Sequence, residues 1–205
     1  MQTQLKMTFF TILWEGIIAT SVIEWIAVIS SLIYVALAAK RLMLCWLFAF
    51  IGSVLFVYLC FVANLYIESI LQLFYVVMAF VGWLSWKRAD SDGGLKIWSS
   101  KNHLINVFVC GFIALVVGFS FDNYTLQANP YIDAFTTCYS LSATFMVARK
   151  IIGNWVYWIV IDLVSIYLYA DRGYYLTAVQ YGIFTLLAIY GFWLWQKEYK
   201  RQKLC

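Results

Sequence analysis

Residues 154–169 read NWVYWIVIDLVSIYLY, a nearly unbroken apolar run that nevertheless carries Asn154, two tryptophans and Asp162. The run is too greasy for the flank of a water-soluble domain, and it approaches the ~20 residues a helix needs to cross ~30 Å of hydrocarbon. Comparable runs recur at 22–39, 44–63, 66–86, 104–121, 131–148, 155–170 and 174–195. Of 205 residues, 64% are apolar, 20% aromatic and 12% charged. An ordinary soluble domain is roughly 45–50% apolar and about 25% charged. One water-soluble core cannot hide that excess, and the short alternating segments of a transmembrane β-barrel are absent. The chain reads as an all-α polytopic membrane protein with seven transmembrane helices.

The segment before these runs, 5–20 (LKMTFFTILWEGIIAT), is short and carries Glu15. It lacks a signal-peptide cleavage pattern and is expected to form an interfacial or half-inserted helix within residues 1–21; a full extra span is the competing reading. If seven spans alternate, Lys40, Arg41, Lys87, Arg88, Lys96, Lys101, Arg149, Lys150, Lys197, Lys200, Arg201 and Lys203 share one side, leaving only Lys6 and Arg172. The positive-inside rule makes that side cytoplasmic, with the basic tail 198–205 inside. The net charge of +4 then reflects topology and needs no nucleic-acid partner.

Nothing in the chain proposes covalent chemistry. The five cysteines form no paired-spacing motif, His103 is the one histidine, and no phosphate-binding glycine loop or nucleophile elbow occurs. No catalytic residue, metal or cofactor is expected. A membrane-embedded enzyme would need a convergent acid/base pair or metal cluster, which this inventory does not supply.

Sliding the chain along itself by 109 residues brings Glu24 onto Asp133, Ser31-Leu32 onto Ser140-Leu141 and Lys40-Arg41 onto Arg149-Lys150. The same offset brings Trp46 onto Trp155, Tyr58-Leu59 onto Tyr167-Leu168, Gly82 onto Gly191 and Trp86 onto Trp195. One residue of slippage in the outer loop brings Gln72 onto Gln180. Residues 22–88 and 131–197 therefore read as two three-helix repeats. Residues 89–130 join them, as a cytoplasmic loop (89–101, with Gly93-Gly94 suiting a flexible linker) and a linker transmembrane helix. One extra span between two three-span units makes the repeats parallel, an arrangement in which transporter substrates bind near the midplane.

At 100° per residue, Trp155, Trp158, Asp162, Ser165 and Tyr169 share one stripe, with Asn154 at its edge. Asp133, Thr136, Thr137, Ser140 and Thr144 form a second, and Glu68, Gln72, Tyr75, Ala79 and Trp86 a third. Gln180, Phe184, Leu187 and Gly191 form a weaker fourth. Unsatisfied polar groups facing lipid cost several kcal/mol, so the stripes face one another. Serine and threonine stripes also serve helix packing, and Trp193 and Trp195 suit the aromatic belt at the cytoplasmic edge. Glu24, Asp133 and Glu68 suit a hydrated outer interface. Asp162 and Gln72 lie inside spans, where an ionisable or polar residue marks function. Tryptophan faces attract cations, and Asn154, Gln72 and Gln180 suit sugar hydroxyls. A planar, positively charged, hydroxylated small molecule fits. A non-transporting scaffold would leave the stripes with packing alone.

NWVYWIVID (154–162), LQLFY (71–75) and VGWLSW (81–86), with the 3+1+3 duplication, resemble the PnuC family of bacterial nicotinamide riboside transporters. The resemblance covers nearly the whole chain from about residue 22. It implies a SWEET-like seven-span fold in the bacterial inner membrane, a homotrimer, and facilitated diffusion by alternating access. It also implies a cytoplasmic nicotinamide riboside kinase that traps the substrate. Trp155, Trp158, Asp162, Asn154, Gln72, Tyr75 and Gln180 are the expected substrate contacts, with Trp46 closing the pocket and Thr144 in its wall. The family's motif often holds Asn where this chain has Asp162, and the first-repeat equivalent is Ser53. Related carriers move thiamine or riboflavin, so those substrates stay open.

Overall fold

The computed structural model describes residues 2–62, 66–89, 94–124 and 129–204. It contains α1 (Gln2–Ala19), α2 (Val22–Ala39), α3 (Cys45–Val62), α4 (Tyr66–Ala89), α5 (Ser100–Tyr124), α6 (Pro130–Ala148), α7 (Asn154–Asp171) and α8 (Tyr175–Gln202). No strand occurs among the described residues; the single β-type pairing is a bridge between Lys96 and Ile151.

Each helix break has a local cause. Ser21 caps α2, its Oγ accepting from the Glu24 N–H at 3.2 Å, which separates α2 from α1. Pro130 opens α6, where its missing N–H costs nothing. At the end of α2, Arg41 adopts φ 57°; its N–H donates to Ala38 O at 2.9 Å and the Leu42 N–H to Leu37 O at 3.0 Å. The end of α6 repeats this: Lys150 at φ 56°, with Lys150 N–H to Val147 O at 3.0 Å and Ile151 N–H to Met146 O at 2.9 Å. Both are Schellman ends built without the usual glycine. The α7 end uses one, Gly173 at φ 80°.

Consecutive helices pack within two trios, α2–α3–α4 and α6–α7–α8; α4 lies against α6 and α2 against α8, closing a ring. Helix α5 lies on α6 and α1 on α8. Tyr139 Oη donates to Val107 O at 2.8 Å, and Ser142 Oγ to Asn106 Oδ1 at 2.7 Å, fixing α5 against α6. The opposite face of α5 presents Phe108, Phe112, Leu115 and Phe119, all more than 60% exposed, a patch that only an apolar solvent tolerates.

Among the described residues, five helices are long and apolar enough to cross a membrane: α2, α3, Glu68–Arg88 of α4, α5 and α8. Helices α6 and α7 are diluted by the polar stripes anticipated from the sequence, and ten residues of α6 are buried by its neighbours.

Of the proposed flexible linker, Gly93 lies outside the described residues, while the part that follows is tied down. Leu95 is buried, its N–H donates to Gln202 Oε1 at 3.1 Å, and Lys96 exchanges two backbone bonds of 2.9 Å with Lys150 and Ile152. The loop therefore straps the end of α8 to the α6–α7 turn.

Candidate functional site

The ring encloses a cavity of about 550 Å³. Trp46, Gln72, Tyr75, Thr144, Trp155, Trp158, Asp162 and Gln180, all anticipated from the sequence, line it together. The α7 stripe does so completely, with Ser165 and Tyr169 continuing the wall from Asp162.

Asp162 is 2% exposed, and among the described residues no basic side chain pairs with it; the two ion pairs are Arg41–Glu198 and Arg172–Asp133. An uncompensated carboxylate in a low-dielectric wall costs several kcal/mol, and a bound cation offsets that cost. The π faces stand beside it. Trp155 is 2% exposed and sets its ring edge-on to Trp195, with centroids 5.4 Å apart at 89°. Trp46 does the same to Trp86, at 5.3 Å and 87°, with Tyr34 at 6.0 Å on its other side. Two glycines make room: a Cβ on Gly82 would overlap the Trp46 ring, and one on Gly191 would lie 2.7 Å from three Trp155 ring atoms. The Nε1–H groups of Trp46 and Trp155 are buried with no partner among the described residues, each costing roughly 1–3 kcal/mol.

The wall's polar groups differ in what they can offer. Thr144 Oγ1 donates to Ser140 O at 2.8 Å, so it presents only acceptor capacity. Ser31 is committed likewise to Ala27 O at 3.0 Å. Gln72 and Gln180 bring both amide donors and acceptors.

Asn154 is placed elsewhere. It is fully buried, absent from the cavity wall, and its Nδ2 donates to Ile151 O at 2.6 Å. One residue before Trp155, its side chain is rotated off the stripe and closes the turn that starts α7. Trp195 also departs from its expectation. Trp193 is exposed at 56%, as a belt residue is, but Trp195 is 1% exposed. Two residues turn a helix by about 200°, and Trp195 Nε1 meets Ala38 O at 3.2 Å and Ala39 O at 3.0 Å. On α8 the wall takes Tyr181 and Ala188 where the anticipated stripe had Leu187.

Asp133 is no merely hydrated interface residue: Arg172 Nη2 lies 2.6 Å from its Oδ2 and Nη1 3.3 Å from Oδ1. Asp133 in the first turn of α6 and Arg172 at the end of α7 are 39 residues apart, a separation with no helical period to signal the pairing. Arg172→Met alone is expected to lower the thermal midpoint more than Arg172→Met with Asp133→Leu, because the single change strands a partly buried carboxylate. Equal or reversed losses in detergent melts would show that the pair is not coupled.

One family and three known proteins resemble this chain. Residues 21–197 match the family described as nicotinamide mononucleotide transporter. The nicotinamide riboside transporter PnuC of Escherichia coli strain K12 is 27% identical over 201 residues, with 84% of each chain covered. The riboflavin/roseoflavin transporter RibM of Streptomyces davaonensis is 28% identical over 182 residues, again with 84% of each covered. A crystal structure of the vitamin B3 transporter PnuC superposes with a TM-score of 0.74 at 21% identity, covering 94% of this chain and 90% of that one. That last likeness establishes the fold.

Proposed function

The chain belongs to the family described as nicotinamide mononucleotide transporter, which includes the PnuC carriers, and on that premise we propose that its cargo is nicotinamide riboside. It is a multi-pass membrane transporter, and its relatives are transporters, not enzymes. One observation carries the cargo: Asp162, buried with no basic partner among the described residues, shares the wall of the cavity with Trp155 and Trp158. Nicotinamide riboside supplies the positive partner that Asp162 lacks. Its pyridinium is a flat cation for the indole faces and the carboxylate, and its ribose offers hydroxyls to Gln72 and Gln180.

In this reading α2–α8 are seven spans and α1 is interfacial. Trios α2–α4 and α6–α8 are parallel repeats that rearrange around the cavity by alternating access. The matching Schellman ends at Arg41 and Lys150, the paired tryptophan contacts and the paired glycine clearances support it, since each falls at the 109-residue offset. The basic side is cytoplasmic and the membrane is the bacterial inner membrane. The carrier is a homotrimer working by facilitated diffusion, drained by a cytoplasmic nicotinamide riboside kinase. Riboflavin is the second reading, favoured by the likeness to RibM.

The test is a tryptophan-fluorescence titration of the purified protein with nicotinamide riboside, thiamine, riboflavin and nicotinamide in parallel. Saturable quenching by nicotinamide riboside alone is expected. Quenching by riboflavin or thiamine in its place would replace the cargo, and no response to any of them would refute the site.

A further inference from the structure

The floor of the cavity is closed by side chains that cargo binding does not use. Trp86 and Trp195 are each 1% exposed and lie outside the cavity wall. Each holds a wall tryptophan by its ring edge, and the two are themselves 6.3 Å apart, so Trp46, Trp86, Trp195 and Trp155 form one continuous layer. Their indole N–H groups cross between the trios. Trp86 Nε1 donates to Val147 O at 3.1 Å, and Trp195 Nε1 to Ala38 O and Ala39 O at 3.2 and 3.0 Å. These carbonyls belong to the last turns of α6 and α2, where a second lone pair is still open to a donor. Two further contacts join the trios at the same end: Arg41 Nη2 lies 3.1 Å from Glu198 Oε1, and the Lys150 ammonium lies 5.3 Å from the Trp86 ring centroid.

We propose that this four-tryptophan layer is the cytoplasmic gate, and that Trp86 and Trp195 are positioning residues coupling the cargo-facing rings of Trp46 and Trp155 to the seal. The proposal rests on the transport reading and its sidedness. A cargo ring that displaces Trp46 or Trp155 pushes on the edge-to-face partner behind it. That partner's N–H then leaves the carbonyl of the opposite trio. Because the contacts occur at equivalent positions in both trios, the two indole–carbonyl bonds loosen together. The closed layer also satisfies only two of its four indole donors, since those of Trp46 and Trp155 are buried and unpartnered. Entry of water on opening satisfies the orphaned pair, so closure is not over-stabilised, and the element is poised between two states.

A native reporter sits beneath the layer. Cys45, immediately before Trp46, is fully buried. In a full chain with Cys60, Cys110, Cys138 and Cys205 replaced by serine, inverted membrane vesicles expose the cytoplasmic face to a membrane-impermeant maleimide. Cys45 is expected to label slowly, and nicotinamide riboside to speed labelling. Trp86→Phe and Trp195→Phe keep the ring and remove the N–H. Each is expected to label about tenfold faster without cargo, the shift that goes with one lost hydrogen bond, and to lose the response to cargo. Labelling at the parental rate in both variants would overturn the gate. Faster variants over a parent indifferent to nicotinamide riboside would keep the gate and refute the cargo instead. A second arm does not depend on the tryptophans: in a cysteine-free background, oxidising an Arg41→Cys/Glu198→Cys pair should block transport and reduction should restore it. A cross-linked protein transporting at the uncross-linked rate would also overturn the proposal.

Discussion

Asp162→Ala is expected to weaken nicotinamide riboside binding by about a hundredfold, because truncating one partner of a desolvated charge pair costs roughly 2–5 kcal/mol. The size of the effect follows from burial and isolation. The residue is 2% exposed, and the ion pairs among the described residues involve other acids. The pyridinium would therefore be the carboxylate's one positive partner. Asp162→Asn keeps the shape and a hydrogen-bonding oxygen, so its loss should be smaller, about tenfold. Binding of uncharged nicotinamide should respond to neither change by more than about twofold, since it has no charge to lose. Trp158→Ala removes a π face instead and should cost about 2 kcal/mol for the cation, roughly thirtyfold. Isothermal titration on the four proteins checks the order. If Asp162→Ala and Trp158→Ala both bound nicotinamide riboside as tightly as the parent, the cavity would be the wrong place for the cargo.

Gly82→Val and Gly191→Val should be the most damaging changes to stability. A Cβ at Gly82 overlaps the Trp46 ring, and one at Gly191 lies 2.7 Å from Trp155. Neither ring has slack, because each is held on its far edge by another buried tryptophan. Overpacking of this kind costs about 1–3 kcal/mol, sometimes more, which corresponds to a fall of roughly 2–12 °C in thermal midpoint for a chain of this length. Both glycines are helical, with no positive φ, so the loss comes from space and not from backbone strain. Gly182→Val serves as the control, because a Cβ there meets nothing within 4 Å. Equal melting of all three variants would mean that the tryptophan layer has room that the structure does not show. Since Trp46 and Trp155 also line the cavity, the damaging pair should lose binding as well as stability.

Much of this protein was decided by composition and periodicity alone. Lipid as solvent follows from the apolar excess, and the helical breaks follow from short-range chemistry such as Ser21, Pro130 and Gly173. The α7 stripe was legible because a helix repeats its faces every 3.6 residues, so Trp155, Trp158 and Asp162 had to meet one side. The proposed internal repeat rests on charge pairs and tryptophans that keep a common offset in the sequence. Tertiary structure decided what no period encodes. Asn154 left the site because one step along a helix is a turn of about 100°, enough to exchange a cavity for a turn. Trp195 left the lipid-facing belt because the Schellman end of α2, closed by Arg41 at positive φ, presents carbonyls that its N–H can reach only once the trios meet. Arg172 found Asp133 because α6 and α7 pack side by side, which sets the end of α7 against the start of α6. Local sequence sets which way each helix faces; which faces touch depends on packing distances between segments more than a hundred residues apart in the tryptophan layer, and these exist only in the folded ring.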